Sequence, residues 1–335
     1  MTTYRDPERK RRRRPVVLVA ALAAFMLFTA PGAQALTPVH MLVTFDESAG
    51  QNPEGMAIDR VGAIYVSVSP LGDLWRIPPG STQPQPFGHV DGIVPGRDFG
   101  MIGLAIDVFG NVYAGVQSAN PDAVGVWRFD HRTGQATRLP GTESIAIPNG
   151  LAFDKQMNVY VTDSFNGAIW RIPPGGTASV WVQDQVLTGD GSLGLFLGAN
   201  GIAYRNGVFT VTNTERRTVL RIPKIGGQPG PISVLANLPP GDNPDGVAMD
   251  VHGDAFIAMN LANAIGRVTP SGSFSVVASG DPLDFPSSLA FGTARAGRTT
   301  LFGVNFSISE LFGLPSGHGP GVFSLDAGVP GVPLP

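Results

Sequence analysis

A short phrase recurs six times along this chain, each time opening a run of apolar residues. It reads PEGMAID from Pro53, IGLAID from Ile102, PNGLAFD from Pro148, ANGIAY from Ala199, PDGVAMD from Pro244 and PSSLAF from Pro286. One register position in each copy, ahead of the glycine where there is one, holds Glu54, Ile102, Asn149, Asn200, Asp245 and Ser287, spaced by 48, 47, 51, 45 and 42 residues. Self-similarity at a period of roughly 40–50 residues is the mark of a propeller or a solenoid, whose units bury their apolar faces only against one another.

Within a copy the pattern continues in the same order. In the third, LAFD leads through a turn to NVYVTD, then AIWRIP, then ASVWVQ. These are short apolar or alternating runs bounded by Gly, Asn and Pro, hence strands. Four strands per repeat, arranged radially, make a propeller blade. The sixth copy offers LAF, LFGVNF and GVFSLD and lacks an outermost strand, which MLVTF at residues 41–45 can supply. The expectation is therefore an all-β, six-bladed β-propeller of four-stranded blades, its last blade closed by an N-terminal strand so that no sheet edge is left open.

At 335 residues the chain suits one such domain, placed at 36–335, with residues 1–35 set apart. Those 35 residues begin with a basic head (Arg5, Arg9, Lys10 and four arginines from Arg11), continue with an apolar run at 16–30 and end in Ala33-Gln34-Ala35. That order of parts reads as a secretory signal peptide, and the run falls short of the roughly 20 residues a bilayer needs. Secretion to the extracellular space or periplasm follows, with no membrane attachment after cleavage. Without this segment, which holds seven of the 23 basic and two of the 26 acidic residues, the net charge is near −8. An acidic domain without basic runs is a poor partner for nucleic acid or anionic lipid. There is no cysteine, so the core alone must hold an exported fold together.

Several recurring polar residues belong to the scaffold. Asp59, Asp107, Asp154 and Asp250 each close a first strand before a turn, where an Asp bonds its own backbone. The arginines of the third strands, Arg76, Arg128, Arg171, Arg221 and Arg267, cover the outer sheet with their stems.

The register position itself carries chemistry. Residues opening the first strands meet at one mouth of the central channel, although they are far apart in sequence. Glu54, Asn149, Asn200 and Asp245 offer two carboxylates and two amide oxygens, an all-oxygen set that suits Ca2+, with another divalent metal as an alternative. Zinc would call for His or Cys. The second-strand ends return to the same mouth, which makes Asp163, Asn213 and Asn305 candidates for orienting ligands or substrate. The long connections at 88–100 (His89, Asp91, Arg97, Asp98) and 183–198 (Asp184, Asp190) are expected to overhang it.

The phrases PEGMAID, PNGLAFD with NVYVTD, ANGIAY and PDGVAMD resemble the senescence marker protein/gluconolactonase/luciferin-regenerating enzyme family along essentially the whole chain after the leader. The resemblance implies a six-bladed propeller with calcium in its channel, held by Glu54, Asn149, Asn200 and Asp245, with Asp245 as base or nucleophile. It implies a small-molecule substrate, a lactone or related ester. The sequence departs from the family's sugar lactonases at Ile147, where they carry Arg, and Ile102 makes the second blade's contribution apolar; Ile147 and Ser287 are expected to face substrate or to support the ligands. The departures favour a less polar lactone or ester. Two readings remain: a secreted calcium-dependent lactonase or esterase, and a non-catalytic propeller in which calcium staples the channel while the loops bind a small ligand or protein.

Overall fold

A computed structural model describes residues 1–3, 36–294, 297–315 and 317–334. The chain divides into two units, Met1–Ala35 and Leu36–Pro335. Residues 4–35, and with them the expected signal peptide, lie outside the described residues. No helix among the described residues is long and apolar enough to cross a membrane.

The second unit is a six-bladed propeller of antiparallel sheets. The innermost strands are Pro53–Ile58, Gly100–Ile106, Pro148–Phe153, Ala199–Arg205, Pro244–Met249 and Pro286–Phe291, and each blade runs outward from them. Each innermost strand packs on that of the next blade, and the sixth packs on the first, closing the ring. Side chains of the second and third strands fill the spaces between blades, so the core consists of apolar clusters shared by neighbours: Tyr160, Ile169 and Trp181 of blade three pack with Phe209 and Leu220 of blade four.

The last blade takes its outermost strand from the N-terminal side of the domain, as the missing fourth strand of the sixth repeat predicts. His40–Thr44 pairs antiparallel with Gly321–Asp326, in the register His40 to Ser324 and Thr44 to Gly321. Blade four adds an element the repeat does not announce. Its third strand, Thr218–Ile225, extends into a hairpin with Gln228–Pro229 through Gly226 and Gly227, and Trp181 of blade three donates to the Gly227 carbonyl at 2.9 Å.

The glycine of the repeated phrase is required by close approach at the axis. A β-carbon at Gly103, Gly150 or Gly201 would stand 2.3–2.4 Å from the carbonyl oxygen of Asn149, Asn200 or Asp245 on the following blade. Two of these carbonyls are tied from behind by second-strand hydroxyls: Thr162 donates to Asn200 O at 2.6 Å and Thr212 to Asp245 O at 2.5 Å. Asn200 and Asp245 are therefore held through their own backbone by the preceding blade. In blade six Ser288 replaces the glycine, and its hydroxyl accepts from Met56 N at 3.2 Å, while Ser287 donates to Glu54 O at 2.7 Å.

The turn aspartates behave as the repeat suggests. Oδ1 of Asp59, Asp107, Asp154 and Asp250 accepts backbone N–H groups two and four residues on. The third-strand arginines do more than cover the sheet, since Arg171 donates to Asn158 and Arg267 to Asp254. At the far end of the channel residues 327–334 cross the opening: Val251 N donates to Pro330 O and Val332 N to Met249 O, and Val332, Pro333 and Leu334 line the channel.

Candidate metal centre at the channel mouth

Glu54, Asn149, Asn200 and Asp245 stand at the start of the innermost strands of blades one, three, four and five, and all four line one cavity at the mouth. They are nearly buried, at 6%, 8%, 4% and 7% exposure. Ile102 and Ile147 line the same cavity. Ser287 is buried below it on the channel wall and has committed its hydroxyl to Glu54 O.

Two of the oxygens have no hydrogen-bond partner. Glu54 Oε2 and Asn200 Oδ1 are fully buried and unmatched. The Asn200 orientation is fixed by its surroundings. Thr214 spends its hydroxyl proton on Pro244 O at 2.8 Å, so its oxygen can only accept, and it does so from Asn200 Nδ2 at 2.9 Å. The amide oxygen is thereby turned away from Thr214. Asp245 is held similarly: Asn260 Nδ2 donates to its Oδ2 at 2.9 Å and to Pro286 O at 2.8 Å. Carboxylate and amide oxygens, two of them buried without a donor, are the donor set that a hard divalent cation satisfies.

The electrostatics agree. Burial raises the Asp245 carboxyl from the ordinary 3.8 to about 7, against the opposing effect of the amides of Asn260 and Asn200. Glu54 is raised well above its ordinary value, first by burial and then by the charge of Asp245. Two carboxylates kept together out of water resist ionising unless a cation joins them. Among the described residues no three His, Cys, Asp or Glu side chains gather into a metal-binding group, so the amides are needed to complete one here.

A pH dependence follows. For an acid with a raised native pKa, the folded state binds more protons than the unfolded state between the two values, so stability falls as pH rises through that window. The window for Asp245 runs from about 4 to about 7. In chelator the melting temperature is expected to fall by about 5 °C between roughly pH 5 and pH 8 beyond the fall seen in millimolar calcium. Scanning calorimetry in both media checks this; parallel curves would mean that no cation binds the pair.

The other candidates are placed differently. Asp163, Asn213 and Asn305 do not line the cavity. Asp163 accepts from the backbone of Ala146 and Ile147, Asn213 donates to the carbonyls of Val186 and Thr188, and Asn305 donates to Pro282 O. Their side chains fasten mouth loops. The residues that hold the cluster are one place further on, Thr214 after Asn213 and Asn260 after Met259. A step of one residue along a strand reverses the face. The overhanging loops also reverse the expectation in kind: Asp98 is bound to Arg97 and Ser118, His89 pairs with Asp73, and the loop residues on the cavity are Phe99, Leu193, Leu195 and Leu197.

The chain matches no family model and no curated protein. Among solved structures, a gluconolactonase from Xanthomonas campestris superposes with a TM-score of 0.61 at 15% identity, covering 89% of this chain and 99% of that one. Regucalcin from Agrobacterium tumefaciens, described as a calcium-binding protein, gives 0.62 at 17% identity over 89% and 97%. Virginiamycin B lyase from Staphylococcus aureus gives 0.55 at 18% over 80% and 82%. At these identities the likeness is one of fold, and the same fold accompanies more than one chemistry.

Proposed function

We propose that the protein is an exported, calcium-dependent hydrolase of lactones or related esters, acting at the cluster of Glu54, Asn149, Asn200 and Asp245. The observation that carries this reading is the pair of buried, unmatched acceptors, Glu54 Oε2 and Asn200 Oδ1, beside a second buried carboxylate. Each such atom costs about 1–3 kcal/mol unless something meets it, and a hard cation meets both at once. A gluconolactonase and a calcium-binding regucalcin among the proteins of like fold support the choice of reaction and metal. The basic head and apolar run of residues 1–35 support export.

When bound, the ion supplies Lewis acidity that polarises a substrate carbonyl. The remaining work falls to the chain. Asn260 holds Asp245 by Oδ2, which leaves its other oxygen to take a proton from water or to attack. Asp245 is buried beside the cluster, and its carboxylate is the group placed to serve as base or nucleophile there. Thr214 keeps the Asn200 oxygen turned toward the cluster. The apolar loops keep bulk water from the reacting carbonyl, which strengthens these interactions. A cavity beside the cluster, with room for a reactant, favours hydrolysis over a cation that only staples the channel.

Metal analysis of the purified protein and a panel of lactones and aryl esters, with and without chelator, test the proposal. About one bound calcium is expected, as the single cluster holds one ion, with hydrolysis lost in chelator and restored by calcium. Melting that ignores both chelator and calcium would remove the metal. Calcium binding without turnover of any panel member would leave the stapled, non-catalytic propeller.

A further inference from the structure

Above the cluster the cavity changes character. Its walls are built by loops from around the ring: Phe99 ahead of blade two, Leu193, Leu195 and Leu197 ahead of blade four, and Phe306 and Phe312 within blade six. Phe312 stacks on Phe285 with ring centroids 5.2 Å apart, giving one side an aromatic wall. The Leu-bearing loop is held by Glu215, a buried carboxylate that accepts from Gly191 N at 2.6 Å and Leu195 N at 3.1 Å. The apolar character continues outward, for Phe165, Phe196 and Leu311 on mouth-side loops are more than half exposed.

The polar lining leaves little for a hydroxylated substrate. The Asn260 amide donates to Asp245 and Pro286, Thr214 bonds Pro244 and Asn200, and Asn243 Nδ2 donates to Thr214 O at 3.1 Å. A sugar lactone entering here would bury hydroxyls opposite hydrocarbon, and each unpaired one costs on the order of tenfold or more in affinity. The cavity measures about 70 Å3. At roughly 10–15 Å3 for each water-sized occupant, that holds about five non-hydrogen atoms.

We propose that this cavity selects lactones or esters bearing a compact apolar arm, aliphatic or aromatic, and excludes polyhydroxylated sugar lactones; the proposal rests on the hydrolase reading above. The carbonyl end meets the oxygen cluster and the arm lies among Phe99, Leu195, Leu197 and Phe312. Each methylene added to the arm tightens binding about fourfold until the cavity is full.

The experiment uses the chain in millimolar calcium and titrates inert 2-alkylcyclopentanones by calorimetry, with arms from none to octyl, alongside gluconolactam as the sugar analogue. Turnover of the matching alkyl lactones is measured in parallel. The expected result is about a fourfold gain per methylene over the first few carbons, then a plateau once ring and arm fill the cavity, with gluconolactam at least a hundredfold weaker than the pentyl ketone. Leu195→Asn, at a residue already 37% exposed, is expected to weaken the pentyl ketone about tenfold and to flatten the arm-length slope. Affinity independent of arm length, or gluconolactam binding as tightly as the pentyl ketone, overturns the proposal. Lactone turnover without an arm-length slope overturns it too, and leaves the hydrolase reading intact. A slope for the ketones with no lactone turned over supports the apolar selectivity and sinks the hydrolase reading.

Discussion

Removing the residues before Asp46 from the domain is expected to leave a chain that does not reach the native fold at 37 °C. His40–Thr44 is the fourth strand of blade six and covers Gly321–Asp326, whose Val322, Phe323 and Leu325 are at most 2% exposed. The deletion takes away the ladder between the two strands and the buried side chains of Val43 and Phe45. Burial of those two side chains alone is worth about 3–6 kcal/mol, against a total stability of about 5–15 kcal/mol for a domain. It also opens a sheet edge, which invites association. Circular dichroism melting and sedimentation of the truncated chain read both effects. A synthetic peptide of residues 36–46 added in trans should restore the melting transition by pairing with the open edge. A truncated chain that melts within a few degrees of the full one would show that the ring does not depend on this closure.

How the sequence discloses this fold is itself a physical matter. The period of the repeated phrase was legible because five of the six blades need the same glycine where the innermost strand meets its neighbour's carbonyl, as at Gly150 against Asn200 O. That requirement leaves the preceding residue free to vary, so Glu54, Asn149, Asn200 and Asp245 stand out against a fixed background. The closing strand was legible because the sixth repeat is one strand short. The partners of the cluster were not. Asp163, Asn213 and Asn305 look like ligand-orienting residues on chemistry alone, yet they bond loop backbone, and the cluster is held by Thr214 and Asn260 instead. Strand alternation could have located these two, because the face toward the channel mouth falls one residue past the last residue paired to the innermost strand. The loops carry no such period. Charged residues at 88–100 and 183–198 drew attention, whereas the side chains that reach the cavity are Phe99, Leu193, Leu195 and Leu197, held in place by contacts such as Glu215 to Leu195 N. Nothing in the repeat announces residues 327–334 beneath the channel, since they belong to no blade.

Replacing Asp245 by asparagine separates holding a cation from doing chemistry. The substitution keeps an oxygen of nearly the same size facing the cluster and removes one of its two anionic groups. Asn260 Nδ2, which donates to Asp245 Oδ2 at 2.9 Å, can donate to an amide oxygen in its place. That oxygen would then be shared with Asn260, so calcium affinity falls, and saturating calcium restores occupancy. A carboxylate's capacity to take a proton or to attack has no counterpart in an amide. If Asp245 is the base or nucleophile, activity in saturating calcium stays down by about 10²-fold or more, the usual scale for a positioned base. The stability of the metal-free protein moves the other way. With one buried carboxylate fewer, Glu54 loses the charge that helps raise its carboxyl, and the fall in melting temperature on raising pH through 7 in chelator becomes shallower than in the parent. The two readouts are independent: hydrolysis of the best panel substrate under saturating calcium, and the pH slope of melting in chelator. A shallower slope with normal hydrolysis would make Asp245 a ligand alone and move the base elsewhere. An unchanged slope would mean that Asp245 and Glu54 do not share a charge, and the cluster would lose its claim to a cation.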